Sequence, residues 1–252
     1  MPKFIKETLK KIAYGPLSPI AYASFHLIAN MEYKYFNNKW KRQGWKKPEQ
    51  DKIDFVRDNV TVIYKSFERQ KLAKRLYENL QYYYPGIRVI IADDSSKPLE
   101  LQGDSLQVLQ LPFNSGLSYG LNRALEKVET PYVMRMDDDE LLTVKTGLGV
   151  QVKFLQKHPE IDLVGFCTLT AVRCMNPDEA VSRFTVFNMQ GAPKTLRIPH
   201  MTQIDGNHFV MGKVLNLYVA RTEKVQSVGW DENIRMLDHQ DFFGVQPEIY
   251  LR

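Results

Sequence analysis

The stretch Ile87 to Ser96, IRVIIADDSS, is a nearly unbroken apolar run that turns acidic within one residue. A half-buried strand alternates apolar and polar positions, whereas a continuous apolar strand is covered on both faces, as in a parallel sheet flanked by helices. The neighbouring segments agree. On the N-terminal side, NVTVIYKSF (Asn59–Phe67) is rich in β-branched and aromatic residues and reads as a first strand. Between the two lies ERQKLAKRLYENLQYYYPG, where Leu72, Leu76 and Leu80 recur at helical spacing with Ala73 and Tyr77 beside them, closed by Pro85-Gly86.

On the C-terminal side, LQVLQLPF (Leu106–Phe113) predicts a third strand. NSGLSYGLNRALEKV then opens as a glycine-bearing loop and becomes a helix, and PYVMRMDDD predicts a fourth strand. VKTGLGVQVKFLQKHPE predicts another helix and IDLVGFCTLTAV another strand. From Ser182 to Val210 the pattern breaks down into Pro, Gly and polar residues, which predicts a long loop over one face; order returns with GKVLNLYVARTEKVQSVG. Strands alternating with helices across short connections indicate an α/β fold with a mostly parallel central sheet. The expected body runs over residues 59–252, with residues 1–58 as an extension.

Composition fits that reading. Of 252 residues, 44% are hydrophobic and 25% charged, ordinary for a globular chain able to bury a core without staples. Cys167 and Cys174 form no disulfide framework. The net charge of +5 is unevenly placed: residues 1–47 hold ten Lys/Arg against Glu7 and Glu32, leaving 24 basic and 27 acidic residues elsewhere. There is no apolar run of 18 residues, so no spanning helix is predicted. The segment YGPLSPIAYASFHLIANMEY is interrupted by two prolines and His26, and lacks a secretory cleavage site. Two expectations stand for this basic, aromatic-rich extension. It contacts an anionic membrane surface, or it packs as a helix on the body with its lysines solvated. Its basic residues do not continue into the body, which argues against nucleic acid. The expected location is cytoplasmic, peripheral on the inner face of the membrane.

In an open parallel sheet, ligands bind beyond the carboxyl ends of the strands. Collected there are Ser66, Glu68 and Arg69; Asp93, Asp94 and Ser95; Asn114, Ser115 and Gly116; and Asp137, Asp138 and Asp139. One acidic triplet is ordinarily a solvated turn. Two acidic clusters on one rim indicate a site. Crowded carboxylates need a cation, and hard oxygen ligands suit Mg²⁺ or Mn²⁺. Cys/His spacing for zinc is absent, as are the Walker pattern and G-x-G-x-x-G, since Gly116 and Gly120 stand four apart. A metal-bridged diphosphate, its nucleoside held by the second-strand carboxylates, remains.

Taken together, VTVIYKSFER, VIIADDSSKP, NSGLSYGLNRAL, TPYVMRMDDDELL and GWDENIRMLDHQDFF, in that order, resemble the nucleotide-sugar-dependent glycosyltransferases of family 2, which have the GT-A fold. The likeness extends from Asn59 to Phe243. With VLNLYVARTEKVQSVGW added, it is nearest to β-1,4-N-acetylgalactosaminyltransferase-type members. The resemblance implies a UDP-sugar donor and an acceptor that is a glycan or a lipid-linked saccharide. The implied reaction is transfer of GalNAc, GlcNAc or Gal with inversion by one in-line displacement. It also implies residue roles. Ser66 and Arg69 lie near the uracil and ribose; Asp93 accepts from the uracil N–H with Asp94 close by; Asn114, Gly116 and Asn122 cover the ribose and sugar. Asp137 and Asp139 are the outer positions of a D-x-D motif around Asp138. Asp139 ligates the metal directly, while Asp137 acts through ribose or water, so that a cation and a diphosphate offset the repulsion of the triplet.

The family's Gly-Arg-Asn is here Gly120-Leu121-Asn122, with Arg123 one place later, so a cation for the diphosphate is expected from Arg123, from Arg135 or from elsewhere in the chain. In MLDHQDFF (Met236–Phe243), His239 or Asp241 is the base, and Asp238 binds acceptor hydroxyls or caps a helix. Trp230 stacks on a sugar ring or is a core tryptophan. The chain ends nine residues after Phe243, where the resembling enzymes continue, so a C-terminally short catalytic domain is expected. Two alternatives remain: a non-catalytic UDP- or sugar-binding remnant, and a nucleotidyltransferase on a related fold. The latter needs a Gly-rich loop near the first strand, where YKSFERQK offers cations but no glycine.

Overall fold

A computed structural model describes residues 18–166, 184–187, 198–199, 201–206, 208–211, 214–234 and 242–243. Cys167, Cys174, Asp238, His239 and Asp241 lie outside the described residues, as do residues 1–17.

The predicted first strand is β1 (Val60–Ser66), and its side chains divide between two cores. Val60, Val62 and Tyr64 enter a cluster on one face, while Ile63 enters another on the opposite face. That is the period-2 geometry of a strand covered on both sides. The first face receives α3 (Gln70–Tyr83), which buries Ala73, Leu76, Leu80 and Tyr83. The second face receives α4 (Leu117–Leu125), which buries Leu121, Ala124 and Leu125 against Ile63, Ile90, Ala92 and Val133. The partner strands are β2 (Arg88–Asp93), β3 (Leu106–Gln110) and β4 (Tyr132–Arg135). All three pairings among β1 to β4 are parallel.

Beyond β4 the sheet changes character. It continues through β5 (Leu163–Gly165), β6 (Phe184–Phe187), β7 (His208–Val210) and β8 (Tyr218–Arg221), in the order β3-β2-β1-β4-β8-β5-β6-β7. β8 inserts antiparallel between β4 and β5. Two further helices complete this part: α5 (Leu148–Lys157) and α6 (Thr222–Val228). The predicted loop from Ser182 to Val210 is corrected here, because it contributes two strands, β6 antiparallel to β5 and the edge strand β7 parallel to β6. Strands of three or four residues are shorter than the window over which alternation can be read, and flanking Pro and Gly hid them.

Within the N-terminal segment, the described residues 18–59 pack on the body. They form α1 (Ser18–Arg42) and α2 (Gln50–Asn59), the latter running directly into β1. Trp40 of α1, with Ile53 and Val56 of α2, shares the core cluster of Val60 and Val62. Trp40 is 1% exposed, stacks on Phe36 at 5.9 Å and lies under the Lys145 ammonium at 4.9 Å. Hydrogen bonds from the preceding two turns add to this. Tyr33 Oη donates to the Leu142 carbonyl at 3.0 Å, and Asn37 Nδ2 donates to Tyr83 Oη at 2.9 Å. Asn37 Oδ1 accepts from the Val144 amide at 3.0 Å. Trp40→Ala is expected to cost about 3–5 kcal/mol, read by urea unfolding of the full chain. A loss below about 1 kcal/mol would show that α1 is an appendage rather than part of the core.

Candidate active site at the carboxyl ends of the parallel strands

From β1 the chain winds outward through β2 and β3, then returns to the other side of β1 as β4. The loops leaving β1 and β4 therefore diverge and leave a crevice at the strand ends, the place where open α/β sheets bind ligands. Register assigns residues to it. Ser66 lies opposite Asp93, and Ile63 opposite Arg135, two residues before the acidic triplet begins.

The carboxylates after β2 are held by their own surroundings. Asp93 is fully buried: Oδ1 accepts from the Ser95 amide at 3.2 Å and the Ser95 hydroxyl at 2.6 Å, and Oδ2 accepts from the Leu99 amide at 2.7 Å. It thereby closes the 93–99 loop on itself. Ser95 Oγ also accepts from the Glu68 amide at 2.7 Å, and Glu68 Oε1 accepts from the Ser96 amide at 2.7 Å, so the loops after β1 and β2 are tied together. Glu68 takes φ of 56° to do this, a conformation costly for a non-glycine residue and held by those two bonds. Asp94, also fully buried, accepts from Lys65 Nζ at 2.5 Å and from the Gly116 amide at 3.1 Å. Ser115 Oγ adds a longer contact at 3.4 Å, and the Asn114 amide donates to the Asp94 carbonyl at 3.0 Å. Gly116 has φ of 104°, a left-handed conformation that favours glycine. Gly120 lets α4 press on the Lys65 stem, since a Cβ there would meet Lys65 Cδ at 3.0 Å.

The triplet is not three equivalent charges. Asp138 points inward at 5% exposure and accepts from Arg69 Nη1 at 2.9 Å. Asp137 and Asp139 project outward, their side chains 41% and 54% exposed. Asp137 accepts from Arg135 Nη1 at 2.6 Å, and Asp139 lies 3.5 Å from the Arg69 nitrogen that binds Asp138. Arg135 is itself buried and donates also to the Asn216 carbonyl at 3.0 Å. Two guanidinium groups thus hold the three carboxylates together. Glu140 adds a fourth acid, its Oε2 accepting from the Asp137 amide at 2.9 Å. Burial pushes Asp138 up to about 6 despite the Arg69 guanidinium. Burial, with the charge of Asp137 behind it, pushes Glu140 up to about 8.

The donor set fits a hard divalent cation of limited protein coordination. Asp137 and Asp139 offer two outward carboxylates on one rim, and Mg²⁺ or Mn²⁺ commonly takes one or two carboxylates and completes its shell with substrate phosphate and water. Among the described residues no three His, Cys, Asp or Glu side chains converge on a common point, so a closed protein cage is not what the rim provides. Ser66 Oγ, buried at the end of β1, has no hydrogen-bond partner among the described residues. A buried hydroxyl left unpaired is destabilising and suits a position that a ligand completes.

Other predicted residues are engaged elsewhere. Asn122 Nδ2 donates to the Trp230 carbonyl at 2.8 Å and to Glu232 at 2.9 Å, while its Oδ1 accepts from the Trp230 amide at 3.0 Å. Arg123 pairs with Glu232 at 2.8 Å and Glu126 at 2.9 Å. Asn122 and Arg123 are thus both tied to the 230–232 turn. Trp230 is a core residue: it is 5% exposed and stacks on Phe242 at 5.1 Å, so the expected sugar platform is corrected. Asp238, His239 and Asp241 lie outside the described residues, but Ile234 before them accepts from Ser118 Oγ at 2.8 Å, two residues after Gly116. Sequence reasoning missed Lys65 and Glu140. The signal for Lys65 was a cation inside a strand that is otherwise apolar up to Ser66. Lys65→Met would leave Asp94 buried without its cation and is expected to cost about 3–5 kcal/mol, with part of the loss recovered in Lys65→Met/Asp94→Asn. Urea unfolding at the wild-type midpoint would contradict the pairing.

Comparison with known proteins agrees with this geometry. The family model described as glycosyl transferase family 2 matches residues 60–210. The chain is 33% identical over 191 residues to β-1,4 N-acetylgalactosaminyltransferase 2 of Mus musculus, covering 75% of this chain and 36% of that protein. It is also 33% identical over 193 residues to β-1,4 N-acetylgalactosaminyltransferase 1 of Homo sapiens, covering 73% and 35%. The chain thus spans about a third of the length of these curated relatives. Among solved structures, the mannosyltransferase PcManGT of Pyrobaculum calidifontis, in complex with GDP-Man and Mn²⁺, aligns with a TM-score of 0.51 at 18% identity. That alignment covers 88% of this chain and 60% of the mannosyltransferase, and it shows the shared fold. With the family model covering β1 to β7 and the crevice at the ends of the first four strands, the chain belongs to glycosyl transferase family 2 and has the GT-A fold.

Proposed function

We propose that this chain is an inverting, metal-dependent transferase that moves an N-acetylhexosamine or galactose from its UDP donor to a hydroxyl of a glycan or lipid-linked saccharide. The observation that carries the reading is the alternation of the triplet, with Asp138 turned in onto Arg69 and Asp137 and Asp139 turned out at the β1/β4 crevice. The N-acetylgalactosaminyltransferase names of the relatives support the choice of sugar.

In this reading Asp139, with Asp137 beside it, would hold Mn²⁺ or Mg²⁺. The bound cation supplies Lewis-acid stabilisation of the departing diphosphate. Ser66 offers its unpaired hydroxyl to the nucleoside, and Arg69 stands at the same edge. Asp93 and Asp94 shape the wall against which the base lies, and Asp93 Oδ2, which accepts only from the Leu99 amide among the described residues, keeps a lone pair for the uracil N–H. Asn114 and Gly116 form the turn over the ribose. His239 or Asp241 takes the proton of the acceptor hydroxyl, whose oxygen bonds to the anomeric carbon as the bond to the diphosphate oxygen breaks on the opposite side. Asp238 orients the acceptor. The anchoring of Ile234 on Ser118 starts the stretch that bears these acids beside the Gly116 turn.

Release of UDP from UDP-N-acetylgalactosamine, UDP-N-acetylglucosamine and UDP-galactose, with a saccharide acceptor and Mn²⁺, tests this. Asp139→Ala is expected to lower turnover about 100- to 1,000-fold; unchanged turnover would remove the metal role. Of Asp241→Asn and His239→Ala, only the variant that removes the base should lose turnover while keeping its affinity for UDP. Full activity in both would place the base elsewhere.

A further inference from the structure

Helix α1 has two faces of different character. One face, with Tyr33, Asn37 and Trp40, is fixed to the body by the contacts described above. The other carries Ile20, Leu27, Met31 and Tyr35 at 62–65% exposure, with Ile28 at 47%. Their spacing of seven, eight, eleven and fifteen residues from Ile20 lines them along one stripe of the helix, opposite the packed side. Single exposed apolar side chains are ordinary, whereas a contiguous stripe of five large ones marks an interaction surface.

Charge identifies the occupant. Lys34, Lys41 and Arg42 are exposed toward the C-terminal end of the same helix. Lys34 and Lys41 also line, with Asn38, Glu78 and Tyr82, a groove of about 330 Å³ between α1 and α3. Residues 1–47 hold ten Lys/Arg against two acids. A second copy meeting this face across a two-fold axis would bring two such basic segments together, which like-charge repulsion opposes. Among the described residues no helix is long and apolar enough to cross a membrane. An apolar stripe beside a predominantly basic cluster suits a helix lying in the plane of an anionic lipid interface.

We propose that α1 docks this protein on anionic bilayers, with the Ile20–Tyr35 stripe among the acyl chains and Lys34, Lys41 and Arg42 on lipid phosphates. The docking stands independently of the transferase reading. Its use rests on that reading: Tyr33 bonds Leu142, three residues after Asp139, so a docked α1 ties the acidic loop to the lipid surface where a lipid-linked acceptor is presented.

The test is co-sedimentation of the full chain, without nucleotide, with vesicles of phosphatidylcholine alone or mixed equally with phosphatidylglycerol. Binding is expected only to the anionic vesicles and is expected to weaken as salt rises. Leu27→Glu/Met31→Glu should weaken it at least about 10-fold, given the transfer energy of two such side chains. Lys34→Glu/Lys41→Glu should also weaken it about 10-fold or more. If the apolar pair does not fold, judged by its thermal transition, the charge-reversal pair carries the test alone. The proposal is overturned if the wild-type chain ignores anionic vesicles, or if the folded variants bind like wild type. It is also overturned if Leu27→Glu/Met31→Glu converts a dimer into a monomer by sedimentation, since a second copy would then cover the stripe.

Discussion

The candidate site depends on the pairing of crowded carboxylates with three cations carried by the same strands and loops. Lys65 on β1 neutralises Asp94, Arg69 after β1 neutralises Asp138, and Arg135 at the end of β4 neutralises Asp137. Buried charges persist only when paired and hydrogen-bonded. Asp94 and Asp138 meet that condition across neighbouring loops rather than within one. Each pair therefore also fixes geometry: Lys65–Asp94 locks β1 to the loop after β2, and Arg69–Asp138 locks the loop after β1 to the end of β4. The rim is held in one arrangement by its own electrostatics, while Asp137 and Asp139, unlike Asp138, keep carboxylate surface open to solvent.

The rest of the molecule supports that rim from behind. Parallel order on both sides of β1 creates the crevice, and α3 and α4 cover the two faces so that the strands can be apolar throughout. Helix α1 then braces the segment that follows the triplet through Tyr33 on Leu142 and Asn37 on Val144. The same helix that bears the exposed apolar stripe is thus joined rigidly to the acidic loop. Position on a surface and position of the site become one variable.

Much of this was legible in the sequence. The runs from Val60, Arg88 and Tyr132 are apolar on both faces, and the latter two end in acids, so their strand character, parallel order and shared rim could be read from apolar pattern and from the helices between them. The two short strands β6 and β7 could not, because three or four residues carry too little alternation against a background of Pro and Gly. Nor could the insertion of β8 antiparallel to β4, which needs no crossover helix and leaves no local mark. The sequence marks the triplet as a place where repulsion must be offset, and arginines from β4 and from the loop after β1 do this in the chain itself. Asn122 and Trp230 show the other limit. Their contacts join α4 to a turn 108 residues away, and spacing along the chain carries no information about such pairs. Local pattern reveals which elements form; long-range pairing decides which polar groups remain available.

The central claim is that the crevice between β1 and β4 accepts a uridine diphosphate through a divalent cation on Asp139. Calorimetric titration of the full chain with UDP, and with GDP and ADP for comparison, in the presence and absence of Mn²⁺, tests it most directly. The account predicts heat of binding for UDP alone, and only with Mn²⁺ present. Equal binding of all three nucleotides, binding indifferent to Mn²⁺, or no binding of UDP would contradict it.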